Sequence, residues 1–121
     1  MDMRLELVLL TSTDVDRSKP FYVDQVGFNF DNDIEPGNGM RIVQLTPLGS
    51  ARSIVIGTGM GNSDTAPVQN VHLVVDDIVL ARQPLVGKGV DVSDVVDMGG
   101  VRYAFFSDPD GNSWALQQIP R

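Results

Sequence analysis

The chain has no cysteine and a single histidine. The first absence excludes a disulfide framework, a thiol nucleophile and any metal site built on thiolates. Long apolar runs are missing too. No stretch approaches the roughly 20 residues of a membrane span. The apolar run behind the acid-bearing segment Met1–Glu6 is too short for a secretory signal. Bases are few and scattered, nine Lys and Arg against sixteen Asp and Glu. Phosphate backbones are bound by clustered bases, so nucleic acid is excluded as a partner. The net charge of −7 reads as a solubility feature. No phosphate-cradling loop follows a strand, because Gly57-Thr-Gly59-Met-Gly61 lacks the helix and lysine such a loop needs. No Ser, His and Asp stand in a spacing that makes a triad. The expectation is a cytoplasmic protein that engages neither membrane nor nucleic acid.

What is present is a repeat. Gly39-Met-Arg41 returns as Gly100-Val-Arg102, Thr46 as Ser107 and Gly49 as Gly111. Upstream, Asp14-Val15 matches Asp77-Ile78, and Gly27-Phe28 matches Gly89-Val90. The offset runs from 61 (39 to 100) to 63 (14 to 77) residues, the length of a whole supersecondary unit. At 121 residues the chain makes one domain of two fused halves. It is long enough to bury about two thirds of its extended surface.

Each copy reads β-α-β-β-β. In the first, residues 4–11 form an apolar β run, and Asp14 to Asp16 supply N-cap chemistry for a helix reaching about residue 25. Strands are expected at Phe28–Ile34, Met40–Thr46 and Ser53–Thr58, with a turn at Glu35–Gly39. The second copy predicts strands at Val71–Val75, Val90–Val96, Val101–Ser107 and Ser113–Ile119, with a helix over Ile78–Lys88. Module one covers about 1–58, a Gly-, Ser- and Asn-rich linker 59–68, and module two 69–121. Pro20 and Pro84 fall inside the expected helices, so each helix either starts late or kinks. Asp108-Pro-Asp-Gly111 has the chemistry of a hairpin turn rather than of a paired-carboxylate site.

Strand alternation sorts the polar residues. Val71, Leu73 and Val75 share the face that packs on the helix, which turns Asn70 and His72 to the opposite, inner face. In the last strand Trp114 and Leu116 pack under the helix, and Ala115 and Gln117 face inward. Tyr22, Phe21 and Phe28 read as helix-to-sheet core. Tyr103, Phe105 and Phe106 are core or cavity wall.

The doubled pattern, Asp14-Val-Asp-Arg-Ser-Lys-Pro-Phe-Tyr22, Val26-Gly-Phe28, His72-Leu-Val-Val-Asp-Asp-Ile78 and Phe105-Phe-Ser-Asp-Pro-Asp-Gly-Asn112 together resemble the vicinal oxygen chelate superfamily. That superfamily includes glyoxalase I, extradiol dioxygenases and fosfomycin- and bleomycin-resistance proteins. The resemblance covers nearly the whole chain. It implies an α+β fold of two tandem βαβββ modules, each a curved mixed sheet with a helix on its outer face, forming a cup-shaped cleft. It also implies a homodimer. Its enzymes hold one divalent metal ion with His, Glu or Gln. The matching positions here are Leu7, Asn70, Ala115 and one residue of Ile54-Val55-Ile56. Such an ion needs several converging oxygen or nitrogen donors, so no metal and no other cofactor is expected.

The fold hosts enzymes and drug-binding proteins alike. The expected function is that of the metal-free members, with a small, mainly apolar or aromatic molecule bound in the inner cleft. Leu7, Leu9, Ile54 and Ile56 supply aliphatic wall from the first module. Tyr103 and Ala115 supply wall from the second, and Asn70, His72 and Gln117 are the polar anchors. The loops at 31–38 and 96–100 shape the pocket. The alternative is a lyase, isomerase or dioxygenase. It would use His72 as acid or base, since imidazole titrates near neutrality. Or it would use a displaced metal site of His72, Asn70, Gln117 and Asp97.

Overall fold

The computed structural model describes residues 1–37, 39–58 and 67–120. It divides into two compact units, Met1–Ala66 and Pro67–Arg121. In the first, β1 (Leu7–Thr11) leads into α1 (Val15–Pro20) and a π-helical turn (Phe21–Val26), then β2 (Asn29–Gly37), β3 (Met40–Thr46) and β4 (Ser53–Thr58). In the second, β5 (Val71–Val74) leads into α2 (Ile78–Gly87), then β6 (Val96–Met98), β7 (Val101–Ser107) and β8 (Ser113–Gln118). The strand orders are β1-β4-β3-β2 and β5-β8-β7-β6, with the first strand parallel to the last and the rest antiparallel. The duplicated βαβββ topology of an α+β protein is therefore present. The expected linker lies largely outside the described residues.

Both helices begin where an aspartate can cap them. Asp14 accepts from the Arg17 amide and Asp77 from the Leu80 amide. The helices start at Val15 and Ile78. In the first copy Pro20 ends the α-helical stretch, and the chain widens into the π-helical turn. Proline has no N–H to donate and crowds the carbonyl four residues back, which interrupts the regular ladder at Pro20, whereas α2 runs on past Pro84 to Gly87. Gly27, at φ 89°, closes this turn, with Gly27 and Phe28 both donating to the Tyr22 carbonyl (2.9 and 2.8 Å).

In the first unit Leu10, Val43, Leu45, Ile54 and Ile56 are buried against the helical side, which contributes Val15, Phe21, Tyr22 and Phe28. Tyr22 stacks on Phe28, centroids 5.6 Å apart. A polar tether secures the same side. Asp33 of β2 accepts from Arg41 of β3 (2.8 and 3.1 Å) and from Lys19 of α1 (3.1 Å), and Arg41 reaches on to Asp16. Hydrogen bonding to Arg41, with help from Lys19, holds the Asp33 carboxyl down at about 2, against an ordinary 3.8. A depressed folded-state value adds stability that is complete above about pH 4 and lost as pH falls toward 2. Arg41→Leu should therefore destabilise the protein by about 1–2 kcal/mol at neutral pH, allowing for solvent screening. Its deficit against wild type should shrink between pH 4 and 2. Urea titrations at pH 6, 4, 3 and about 2 read this; a deficit that does not change with pH would refute it.

The second unit buries Phe106, Trp114, Leu116 and Ala104 beneath α2, which contributes Ile78 and Leu85. Phe106 and Trp114 lie in nearly parallel planes, 5° apart, at 6.2 Å. Gln118 Oε1 accepts from the Ile78 amide (2.7 Å) and pins the start of α2 to β8. The turn Asp108–Gly111 is structural, as its composition implied. Asp108 Oδ1 accepts from the Asp110 and Asn112 amides (both 2.9 Å), and buried Asn112 joins Asp108 to the Val68 amide.

Three boundaries depart from expectation. β1 starts at Leu7, and β2 extends to Gly37 through two register shifts, taking in part of the expected turn. The expected strand Val90–Val96 is not one; only Val96–Met98 pairs with β7. Val90 and Val92 are buried while Asp91 and Ser93 are exposed, so the alternation records burial and not pairing. The Ser93 carbonyl is taken by Arg82 (2.8 Å), and the Phe105 amide turns to Ser93 Oγ instead (2.9 Å). One backbone bond to β7 remains, from the Ser93 amide to the Phe105 carbonyl (2.9 Å), and the ladder goes no further. β6 then turns into β7 through Gly99 and Gly100, both at positive φ, as a two-residue hairpin requires.

Candidate functional site

The pleat gives the second sheet two different faces. Register places Val71, Leu73, Leu116, Trp114, Ala104 and Phe106 toward α2. It places His72, Ala115 and Phe105 in one row of the opposite face, and Val74, Gln117 and Tyr103 in the next. Among the described residues no helix of this unit covers that face. Tyr103 and Phe105, two apart on β7, are half-buried and nearly parallel, 9° between planes and 5.9 Å between centroids. They belong to this wall, whereas Phe106 belongs to the core. His72 meets Tyr103 edge-on at 6.0 Å and 88°. Gln117 Nε2 donates to Tyr103 Oη (3.2 Å). Ala115, fully buried, lies between His72 and Phe105 and keeps the row low. His72, Tyr103, Ala115 and Gln117, named from sequence, are thus brought together. Phe105 completes the surface, and its alternation with Phe106 was the signal.

Asn70 stands just outside β5, its φ of 58° in the left-handed region. Strand alternation therefore does not extend to it. Its amide donates to Ser113 Oγ (2.7 Å), and its carbonyl faces His72 Nδ1 (2.7 Å). It serves the site through its backbone.

In the first sheet Leu7 pairs with Ser53 and Leu9 with Val55, away from the helix. Ile54 and Ile56 pair with Val8 and Leu10 and are buried on the helical side. Their expected place beside Leu7 and Leu9 is therefore corrected: one residue of offset on a pleated strand reverses the face. The helix-free face carries instead Ser53, Gln44 and Thr46, joined by hydrogen bonds of 3.3 and 2.8 Å, with buried Val55. Among the described residues it has no aromatic pair like that of the second sheet.

The sequence model of the Glyoxalase/Bleomycin resistance protein/Dioxygenase superfamily matches residues 4–116. The chain belongs to this superfamily. Among solved members, TnmS3, an antibiotic-binding protein from Streptomyces sp. CB03234, superposes with a TM-score of 0.86 at 30% identity over 98% of each chain. A glyoxalase/bleomycin resistance protein from the same organism gives 0.80 at 31%, covering 95% of this chain and 100% of its own. A superfamily member from Sphaerobacter thermophilus gives 0.83 at 26%, covering 97% and 98%. The CFP32 protein of Mycobacterium bovis is 29% identical over 117 residues, 93% of this chain. The chain spans less than half, 44%, of that curated relative's length.

The superfamily's divalent metal can be tested against these residues. Val55 faces Leu9 as Ala115 faces His72, which makes Val55 the fourth ligand position. Leu7, Val55 and Ala115 carry no donor atom, and Asn70 alone offers an amide. The set does not fit the ion. The displaced arrangement also fails to converge. Asp97 pairs with Arg102, on the α2 side of the sheet opposite His72, and its Oδ1 accepts from the Gly100 amide (2.9 Å). Among the described residues no group of three or more His, Cys, Asp or Glu gathers as a metal site would need. Nor, among them, is any helix long and apolar enough to cross a membrane.

Proposed function

We propose that this chain is a metal-independent binding protein for a small planar, mainly apolar or aromatic molecule, held on the helix-free face of its second sheet. The observation that carries the reading is the near-parallel Tyr103–Phe105 pair, half-exposed where a core residue would be covered. The two rings, stacked on each other, form a half-exposed aromatic surface against which a flat molecule can pack. Gln117 and His72 place polar atoms at its margin, the usual make-up of a small-molecule pocket. The antibiotic-binding description of TnmS3 supports the same class of role.

Fused-ring aromatics such as 1-naphthol should raise the melting temperature of the purified protein. At a hundredfold excess over Kd the gain is about 2.7 kcal/mol. Tyr103→Ala should weaken binding about tenfold or more, with the unligated melting temperature little changed. Ni, Zn, Mn, Fe and Mg should give no stabilisation saturating at one ion per chain. Such saturation, or an affinity indifferent to Tyr103→Ala, would sink the proposal. Trp114 is an unsuitable reporter, since it lies buried on the other side of the sheet.

A further inference from the structure

Among the described residues Asn70 is the single non-glycine residue with a left-handed backbone. Asparagine tolerates that region better than most residues, but the conformation still needs a reason. Its neighbours supply one. Ser113 Oγ accepts from the Asn70 amide (2.7 Å) and donates to Gln69 Oε1 (3.0 Å), which fixes the peptide. The Asn70 carbonyl then stands 2.7 Å from His72 Nδ1.

A peptide carbonyl can only accept. The nitrogen facing it must carry the proton. A neutral imidazole has one N–H, so Nε2 is left with a bare lone pair in the ring plane. Free histidine prefers the reverse arrangement, with the proton on Nε2. Among the described residues Nε2 has no hydrogen-bond partner. The ring stands edge-on to Tyr103, at the margin of the aromatic surface. Tyr103 Oη already accepts from Gln117, which leaves its O–H to donate.

We infer that Asn70 is a positioning residue that fixes His72 in the Nδ1–H tautomer, so that Nε2 serves as a hydrogen-bond acceptor beside the Tyr103–Phe105 pair. The ligand class narrows accordingly. A planar ring bearing an O–H or N–H, a phenol or an aromatic amine, is selected over the same ring without a donor. The ligand half rests on the function proposed above; the tautomer half does not.

The chain's only histidine makes the measurement unambiguous. Long-range proton–nitrogen NMR of the imidazole at about pH 9, well above the range in which imidazoles ordinarily titrate, should show Nδ1 protonated and Nε2 bare. Asn70→Gly, which keeps the backbone conformation available, should preserve that signature. Asn70→Val, which resists positive φ, should shift the proton toward Nε2. Folding of both variants is checked from their amide spectra. Should Asn70→Val not fold, wild type and Asn70→Gly still decide the tautomer. A wild type with Nε2–H, or an even mixture, overturns the inference.

Binding is then compared for 1-naphthol and 1-methoxynaphthalene, which share a ring system and differ in the donor. We expect about tenfold tighter binding of 1-naphthol, with the Nε2 nitrogen resonance moving on its addition alone. Equal binding with the Nδ1–H tautomer intact overturns donor selection and leaves the ring-binding function standing. If neither compound binds, the proposed function fails, and donor selection with it.

Discussion

Trp114→Ala should cost about 3–5 kcal/mol and leave the second unit barely folded. Trp114 is fully buried, stacks on Phe106 across the β7–β8 pair and lies on the side that receives α2. Removing the indole forfeits its transfer energy and opens a cavity that the sheet cannot close, because β8 is hydrogen-bonded on both edges, to β5 and to β7. Domains of this size are stable by about 5–15 kcal/mol, so the loss is a large share of the whole. Trp114→Phe, which keeps a ring in the stack, should lose much less. Urea unfolding followed by circular dichroism ranks the three proteins. A midpoint for Trp114→Ala close to wild type would mean that the stack contributes little to the core.

The second large effect is expected at Asn112. This side chain is fully buried and works in two directions, donating to Asp108 Oδ2 (2.8 Å) and accepting from the Val68 amide (2.9 Å). The latter contact ties the segment entering β5 to the β7–β8 turn, 44 residues away. Asn112→Ala strands the half-buried Val68 amide and takes one partner from the buried Asp108 carboxylate. Each orphaned group costs about 1–3 kcal/mol, so about 2–4 kcal/mol is expected in total. Hydrogen exchange supplies the specific readout. The Val68 amide should lose protection out of proportion to amides in the middle of β7. Uniform loss across the unit would show that the asparagine contributes packing only.

The topology was legible because its signals are local and occur twice. Asp14 and Asp77 announce the helix starts, Gly27 terminates the first helical segment, and Asp108 to Asn112 specify a turn by composition. Placement of residues on the second sheet followed from period-two alternation, which carried His72, Ala115 and Gln117 to one face. The same reasoning misplaced Ile54 and Ile56. A run of three aliphatic residues, Ile54-Val55-Ile56, has no polar member to mark its phase, and only the pairing with β1 sets it. Residues 90–95 misled in another way. Their alternation is real, but Arg82 takes the Ser93 carbonyl and the Ser93 hydroxyl takes the Phe105 amide, which leaves one backbone bond, from the Ser93 amide to the Phe105 carbonyl, where a strand would have shared several. Side-chain competition of this kind depends on residues eleven or twelve positions distant and leaves no mark in a local pattern. The left-handed Asn70 was likewise hidden, since asparagine is compatible with either conformation.

Because consecutive residues of β7 and β8 look in opposite directions, each of these strands carries two nearly separate inheritances. Ala104, Phe106, Trp114 and Leu116 answer to folding; Tyr103, Phe105, Ala115 and Gln117 line the other side, where the proposed ligand would be met. A substitution in the second set has little purchase on the first, even between chain neighbours such as Trp114 and Ala115. Selection for a new ligand could therefore rewrite every other letter of these strands and leave the scaffold's own text intact.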